Sequence, residues 1–268
     1  MIVFPNAKIN LGLNIVEKRT DGYHSLETVM IPIPLYDIIE ITKSEKFEYV
    51  HSGIDLGGSI EENLCVKAYL LIQENFKISP VRIHLRKQIP IGAGLGGGSA
   101  DATFVLKALN ELFELNISIA KLQEFAGQLG SDCPFFVLNT PQIATGRGEI
   151  LKAIEVDLNG LFLKLAFSSI HISTKTAFSG VYISGDSGNL ASEIQQPIET
   201  WQDLVKNDFE RHIFEEFPVL SHYKENFIRE GAVFASMSGS GSTVFGIYKN
   251  EPPIPKNKNG LVVKLGMD

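Results

Sequence analysis

The segment Pro90-Ile91-Gly92-Ala93-Gly94-Leu95-Gly96-Gly97-Gly98-Ser99-Ala100-Asp101 places five glycines in seven positions. Glycine loses more chain entropy on folding than any other residue, so such a run needs a reason. One reason is a loop whose amide N–H groups must approach an anion closely, backed by the unpaired N–H groups and positive dipole end of the helix that follows. That arrangement is a phosphate cradle needing little side-chain charge; the plainer alternative is a flexible turn between a strand and a helix. Gly92, Gly94 and Gly97 match G-x-G-x-x-G. A dinucleotide fold also wants an acid about 20 residues on, at the end of a second strand. Here Glu111 and Glu114 fall within or at the end of the helix. A P-loop needs lysine after its last glycine, where this chain has Ser99, and the protein-kinase H-R-D and D-F-G signatures are absent.

Other segments offer charge or proton chemistry. Asn6, Lys8, Asn10 and Asn14 share one face of the opening segment, although asparagine is disfavoured in strands. A solvated face explains Asn14; Lys8 and Asn10, at the apolar centre, read as part of a site. Asp132, in Gly130-Ser131-Asp132-Cys133-Pro134, reads either as a helix cap or as a carboxylate base toward a substrate hydroxyl. Ser238-Gly239-Ser240-Gly241-Ser242 is a hairpin loop or a second small-residue loop approaching a ligand. His24, His51, His84, His171, His212, His222, Cys65 and Cys133 show no metal-ligand spacing. Asp208-Phe209-Glu210 reads as a solvated helix end, and Phe178 on its own as core.

The elements that must position these residues follow from periodicity. Over Val3–Ile15, Ile9, Leu11, Leu13 and Ile15 alternate with Asn6, Lys8, Asn10, Gly12 and Asn14, the pattern of a strand with one buried face. Ile38–Thr42, Val81–Leu85, Leu161–Phe167, Ala232–Met237 and Thr243–Tyr248 also read as strands. Ser59 with Glu62, or Asn63 alone, starts a helix through Leu64–Phe76. Gln88-Ile89-Pro90 stops the strand before the glycines. Ala102, Val105, Leu106, Leu109, Leu112 and Phe113 keep helical spacing and place a helix over Ser99–Leu115. Ser118 caps Ile119–Leu129, which Gly130 ends, and Ser131–Pro134 opens a third helix. Trp201–Phe209 and Pro218–Glu230 read as helices, and Ser184–Asn189 as a loop. Without regular βαβ spacing the class is α+β, in two lobes that part near residues 150–160.

Composition narrows the partners. With 268 residues, 44% of them hydrophobic, and a net charge of −7, the chain is neither disordered nor fibrous. It carries no broad basic face for nucleic acid. Two cysteines make no disulfide framework. Met1–Asn10 lacks the apolar run of a signal peptide, and the most apolar stretch, Val29–Ile41, is interrupted by Pro32, Pro34 and Asp37. A cytoplasmic protein with neither nucleic-acid nor membrane partners is expected.

Taken together, Pro5–Asn14 with Lys8, Asp21-Gly22-Tyr23-His24, Pro90–Ala100, Gly130–Phe136 and Ser238–Ser242 resemble the GHMP kinase superfamily of small-molecule kinases. AKINLGL, RTDGYHSLETVM, GAGLGGGSAD and GSDCPFF resemble the branch that acts on a cytidine diphosphate alcohol. The resemblance implies a two-lobed fold: a ribosomal protein S5 domain 2-like, ATP-binding N-terminal lobe over 1–155 and a ferredoxin-like C-terminal lobe over 156–268. It implies ATP, with Mg2+, along Pro90, Ile91, Gly92, Ala93, Gly94, Leu95, Gly96, Gly97, Gly98, Ser99 and Ala100. Lys8 and Asp132 match the catalytic pair. Asn10, Tyr23 and His24 match the residues that bind the cytidine substrate, His24 reading the cytosine edge. Phe178 is placed as the aromatic that stacks on the base, and Gly239 and Ser240 fall in the third family motif. Ala100 stands where the family usually has a second serine, and its backbone amide is expected to keep the cradle intact.

Overall fold

Asparagine, serine and glycine set most element boundaries in this computed structural model, which describes residues 1–181, 189–255 and 259–266. From the amino end the strands are β1 (Ile2–Val3), β2 (Asn6–Lys18), β3 (His24–Tyr36), β4 (Ile38–Lys43) and β5 (Glu48–Gly53). Helix α1 (Leu64–Asn75), β6 (Val81–Lys87) and helices α2 (Gly97–Leu112), α3 (Ile119–Leu129) and α4 (Phe135–Leu138) follow. Then come β7 (Gln142–Thr145), β8 (Ile150–Ala153) and β9 (Phe162–Ala166). Helices α5 (Thr174–Ser179), α6 (Leu190–Glu193), α7 (Trp201–Leu204), α8 (Glu210–Glu216) and α9 (Pro218–Arg229) lead to β10 (Phe234–Met237), β11 (Val244–Tyr248) and β12 (Gly260–Lys264). The loop expected over Ser184–Asn189 lies outside the described residues except for Asn189, which precedes α6.

Compactness divides the chain into two interleaved units rather than by one cut in sequence. The first comprises Met1–Ala7, Leu35–Ile91 and Gly96–Thr140; the second comprises Lys8–Pro34, Gly92–Leu95 and Pro141–Asp268.

In the first unit a sheet of order β1-β4-β6-β5 carries α1, α2 and α3. β4 and β6 are antiparallel, with Ile39 opposite Leu85 and Ile41 opposite Ile83, and β5 runs parallel to β6. These side chains join Tyr69, Ile72, Val105, Leu106, Leu109 and Phe125 in one core. Asn63 caps α1 by accepting the Cys65 amide, while Ser59 caps only the short 3-10 turn Ile60–Glu62 and makes no side-chain bond. Ser118 accepts the Lys121 amide at the start of α3, as expected. Helix α2 begins two residues earlier than its apolar spacing suggests, because Gly96 takes the left-handed conformation that turns the chain directly into the helix. α4 is a single turn. Its cap position is Pro134, so Asp132 lies in the turn before it.

β6 alternates Val81, Ile83, Leu85 and Lys87 inward with Arg82, His84 and Arg86 outward. Lys87 is thereby buried, and its ammonium donates to Asp37 Oδ2 at 2.5 Å and Asp101 Oδ2 at 2.7 Å. Burial alone depresses a lysine, but the two carboxylates outweigh it and hold Lys87 above its usual range. Burial pushes Asp101 up to about 7, against the pull of Lys87 and with the push of Asp37.

The second unit holds two sheets, of orders β2-β3-β7-β8 and β10-β11-β9-β12. β9 is flanked by antiparallel partners on both sides, β11 and β12, so part of the C-terminal segment completes a sheet. Leu13, Ile15, Phe209, Ile213, Leu220, Phe227 and Met237 form the core under α8 and α9. The single buried face expected of the opening strand is corrected: Asn6, Lys8 and Asn10 are only 4–5% exposed. Their side chains have protein partners, which is what makes burying them tolerable.

The helix expected over Trp201–Phe209 stops at Leu204 because the edge of β2 captures the chain that follows. Leu13 donates to Lys206 O at 2.8 Å, Asp208 N donates to Leu13 O at 2.9 Å, and Ile15 N donates to Asp208 Oδ2 at 2.6 Å. Nor is Asp208-Phe209-Glu210 a solvated end. Phe209 is core, and Glu210 accepts from Ser236 Oγ, the Met237 amide and Lys224. No helix among the described residues is long and apolar enough to cross a membrane.

A raised carboxyl makes folding pH-dependent in a definite direction. Between the ordinary aspartate value and about 7, native Asp101 holds a proton that the unfolded chain has lost, so its contribution to stability declines as pH rises through that window. Thermal unfolding from pH 4 to 8 is expected to show a steeper decline for the wild type than for Asp101→Asn. Equal slopes would refute the assignment.

Candidate active site

Lys8 sits on β2 with a long side chain in a polar, buried setting. Its ammonium donates to Asn10 Oδ1 at 2.5 Å and to the Gly94 carbonyl at 3.1 Å. Its backbone N–H donates to Leu95 O at 2.9 Å, so main chain and side chain hold the same glycine turn. Asn10 is fixed in turn. Its Nδ2 donates to Thr28 Oγ1 at 2.9 Å, Thr28 donates to Gly12 O at 2.6 Å, and the Asn10 amide donates to Ser238 Oγ at 3.2 Å. Both ends of the Asn10 carboxamide are thus engaged with the protein. A buried ammonium needs such partners, since an unsatisfied charge carries a large desolvation cost.

The turn Gly92–Leu95 also meets the loop between β10 and β11. Ser238 Oγ donates to Gly94 O at 2.8 Å, and Thr243 N donates to Ala93 O at 3.2 Å. At Gly94, with φ +75°, a Cβ would lie 2.0 Å from Ser238 O, so only glycine fits. Ser238–Ser242 lies in the hairpin connection between β10 and β11 and packs against Lys8 and Asn10. A Cβ on Gly239 would come 3.0 Å from Asn10 Oδ1 and 3.7 Å from Lys8 Nζ. Buried Asn207 holds that loop, its Nδ2 donating to Met237 O at 2.8 Å and Gly239 O at 2.9 Å. Ser240 is half-buried beside it.

In the first unit, Pro90 and exposed Ile91 lead out of the β6 end, and Gly96–Ser99 form the entrance of α2. The first i to i−4 bond of the helix is Ala100 N to Gly96 O at 2.9 Å. The amides of Gly97, Gly98 and Ser99 precede it and point out of the helix start, where the dipole is positive. The amide of Ala100, expected to serve the cradle, is thus taken up by the helix, and its methyl group is fully buried. Asp132, half-buried, lies in a turn tied to this helix start. The Thr103 hydroxyl is 2.9 Å from the carbonyl oxygens of both Ser99 and Cys133 and donates between them. Burial pushes the Cys133 thiol up to about 11, so it stays neutral beside that carboxylate.

Tyr23 and His24 lie at the end of a turn in which Asp21 accepts from the Tyr23 amide and from Arg19. The Tyr23 amide, and after it Arg19, holds the Asp21 carboxyl below its usual value. Tyr23 is exposed, with the Arg147 guanidinium 4.9 Å from its ring centre. His24 and Phe178 are brought together: their rings stack at 5.0 Å and 17°. Phe178 also meets Phe209 edge-on at 4.9 Å, so its role as part of the core and its place next to His24 coexist.

Several residues here escaped the motif reading. Thr103 and Asn207 are polar residues in otherwise ordinary segments, and Thr28 lies inside RTDGYHSLETVM without a role assigned to it; only tertiary hydrogen bonding marks the three. His171 packs under Gly92, where a Cβ would lie 2.7 Å from its Nδ1. Lys87 and Asp37 did leave a trace: a lysine at the inward phase of an alternating strand, and an aspartate breaking an apolar run.

Comparison with known proteins bears on this geometry. The family described as GHMP kinases N terminal domain matches residues 63–140, and GHMP kinases C terminal matches residues 189–259. A 4-diphosphocytidyl-2-C-methyl-D-erythritol kinase of Bacteroides fragilis is 48% identical over 260 residues, covering 96% of this chain and 95% of its own. One from Cytophaga hutchinsonii is 45% identical over 253 residues, covering 94% of each. Among solved structures, a 4-(cytidine 5'-diphospho)-2C-methyl-D-erythritol kinase has a TM-score of 0.80 at 32% identity, covering 92% of this chain and 89% of its own. The Methanococcus jannaschii mevalonate kinase reaches 0.70 at 15% identity over 92% and 90%, a likeness of fold. The expected α+β kinase fold is the one observed. With both halves of the family matched in order, and relatives this similar along nearly their whole length, the chain belongs to the GHMP kinases.

Proposed function

We propose that this kinase uses ATP to phosphorylate the C2 hydroxyl of 4-diphosphocytidyl-2-C-methyl-D-erythritol, giving the 2-phosphate, in the non-mevalonate (MEP) route of isoprenoid biosynthesis in the cytoplasm. The observation that carries the reaction class is the Lys8 ammonium fixed on the glycine turn by Asn10 Oδ1 and Gly94 O. The substrate is carried by the names of the relatives, and the stacked His24 and Phe178 rings offer a flat surface suited to a pyrimidine.

Phosphoryl transfer asks mainly for positioning and charge neutralisation. In this reading the triphosphate lies along Pro90–Ala100, and the amides of Gly97, Gly98 and Ser99 meet its oxygens. Asp132 accepts the proton of the C2 hydroxyl as that oxygen attacks phosphorus. Lys8 keeps Asp132 ionised and stabilises the transferring oxygens. Asn10 orients Lys8. Tyr23, His24 and Phe178 hold the cytidine, with Gly239 and Ser240 closing the substrate side, so that remote binding energy is spent on orientation. Among the described residues no group of three or more His, Cys, Asp or Glu could hold a metal ion. Magnesium would be bound chiefly through phosphates and water and would neutralise charge there, and no side chain is assigned to it.

Lys8→Ala and Asp132→Asn are each expected to lower kcat by about two orders of magnitude or more, the scale of a removed base or electrostatic group. Near-normal turnover in either rejects its role. Phe178→Ala should raise KM for the cytidine alcohol about three- to tenfold, the worth of one aromatic stack, and leave KM for ATP within about twofold. The reading as a whole is tested by supplying the cytidine alcohol with ATP and locating the new phosphate by NMR. Turnover of homoserine or mevalonate in its place would overturn it.

A further inference from the structure

Asp37, Lys87 and Asp101 lie outside the chemistry assigned above, yet they are buried to 3% exposure or less. Burying three charges costs more than filling the same space with apolar side chains, so a chain that does so gains something other than bulk stability. The triad touches both ends of the glycine-rich segment. At the entry, Asp37 Oδ1 accepts the amides of Gln88 at 2.5 Å and Ile89 at 2.9 Å, just before Pro90. At the exit, a Cβ on Gly97 would lie 2.8 Å from Ile89 Cγ2 and 3.0 Å from Lys87 Nζ, so the first turn of α2 rests directly on the strand end and its ammonium. Asp101, one turn further along α2, receives the same ammonium.

Lys87 is therefore flanked by two carboxylates, and with both ionised the triad is net negative. It gives the triphosphate no attraction of its own. What it supplies is geometry: residues 87–89 and 97–101 are locked into one block, and the outward amides of Gly97–Ser99 have their direction set by that block.

We propose that Lys87, with Asp37 and Asp101, is a positioning residue for nucleotide binding, fixing the two anchor points of the glycine turn so that its amides are preorganised for a polyphosphate. This deepens the proposed function and rests on its placement of ATP along this loop.

The test is a neutral triple variant, Asp37→Asn, Lys87→Met and Asp101→Asn. It removes all three charges at once and leaves no orphaned ion, a kind of replacement that folds are known to tolerate. ADP affinity is read by calorimetry, beside KM for ATP and KM for the cytidine alcohol. The expected result is ADP binding and KM for ATP each weakened about tenfold or more, with KM for the alcohol within about twofold and the circular dichroism and thermal midpoint preserved. Unchanged ADP affinity in the folded variant would show the triad to be structural only. If the triple variant does not fold, Asp101→Asn alone, which keeps the Asp37–Lys87 pair, is read the same way: a threefold or greater loss of ADP affinity supports the proposal, and none overturns it. Wild-type protein that binds ADP but fails to phosphorylate the cytidine alcohol would sink the proposed function and leave this inference standing.

Discussion

The approach of the glycine turn to the β10–β11 loop is the constraint on which the polar cluster of the second unit depends. Gly94 and Ser238 come so close that no side chain can occupy position 94. That closeness lets one carbonyl, Gly94 O, accept from both the Lys8 ammonium and the Ser238 hydroxyl. Asn10 then supplies the second oxygen to Lys8, and Thr28 and Gly12 hold Asn10. A long, rotamer-rich lysine is thereby confined without a formal negative charge from either oxygen. Ordering such a side chain costs up to about 2 kcal/mol of rotamer freedom, which charge-assisted hydrogen bonds of roughly 1.5–3 kcal/mol each can offset.

The first unit confines the entrance of α2 by different means. Gly96 turns the chain into α2, Thr103 bridges the helix start to the turn bearing Asp132, and the Lys87 triad pins the helix to the end of β6. Backbone amides outnumber cations at this helix entrance, in keeping with a chain of net charge −7. An anion held there meets dipoles already oriented by the fold, and dipoles need not reorganise when charge arrives.

Local pattern gave much of this. The Asn63 and Ser118 caps, the β10–β11 hairpin and the core face of α2 were all readable from residue type and spacing. What was not readable came from competition between segments distant in sequence. Residues 205–208 follow directly on a helix but are drawn to the edge of β2. The opening strand reads as having one buried face because alternation reports that two faces differ in kind, not that either meets water. Similarly, the motif marked Asp132 as a carboxylate at a helix entrance. The bond from Thr103 to the carbonyl of the next residue, Cys133, 30 residues from Thr103, could be seen only in three dimensions.

Both units are assembled from three separate stretches of chain, and the second cannot be completed until its last stretch, Pro141–Asp268, has been made. Ser238–Thr243, which secures the turn that holds Lys8, is made about 230 residues after it. At roughly 5–20 residues per second that interval is on the order of ten to fifty seconds. Throughout it the opening strand must remain soluble with its lysine environment unfinished. Its neighbour β3 follows soon after in sequence, whereas the residues that cover its other edge, 206–208, come late, and the lysine among its aliphatic residues is of the kind that discourages an open edge from adhering to another.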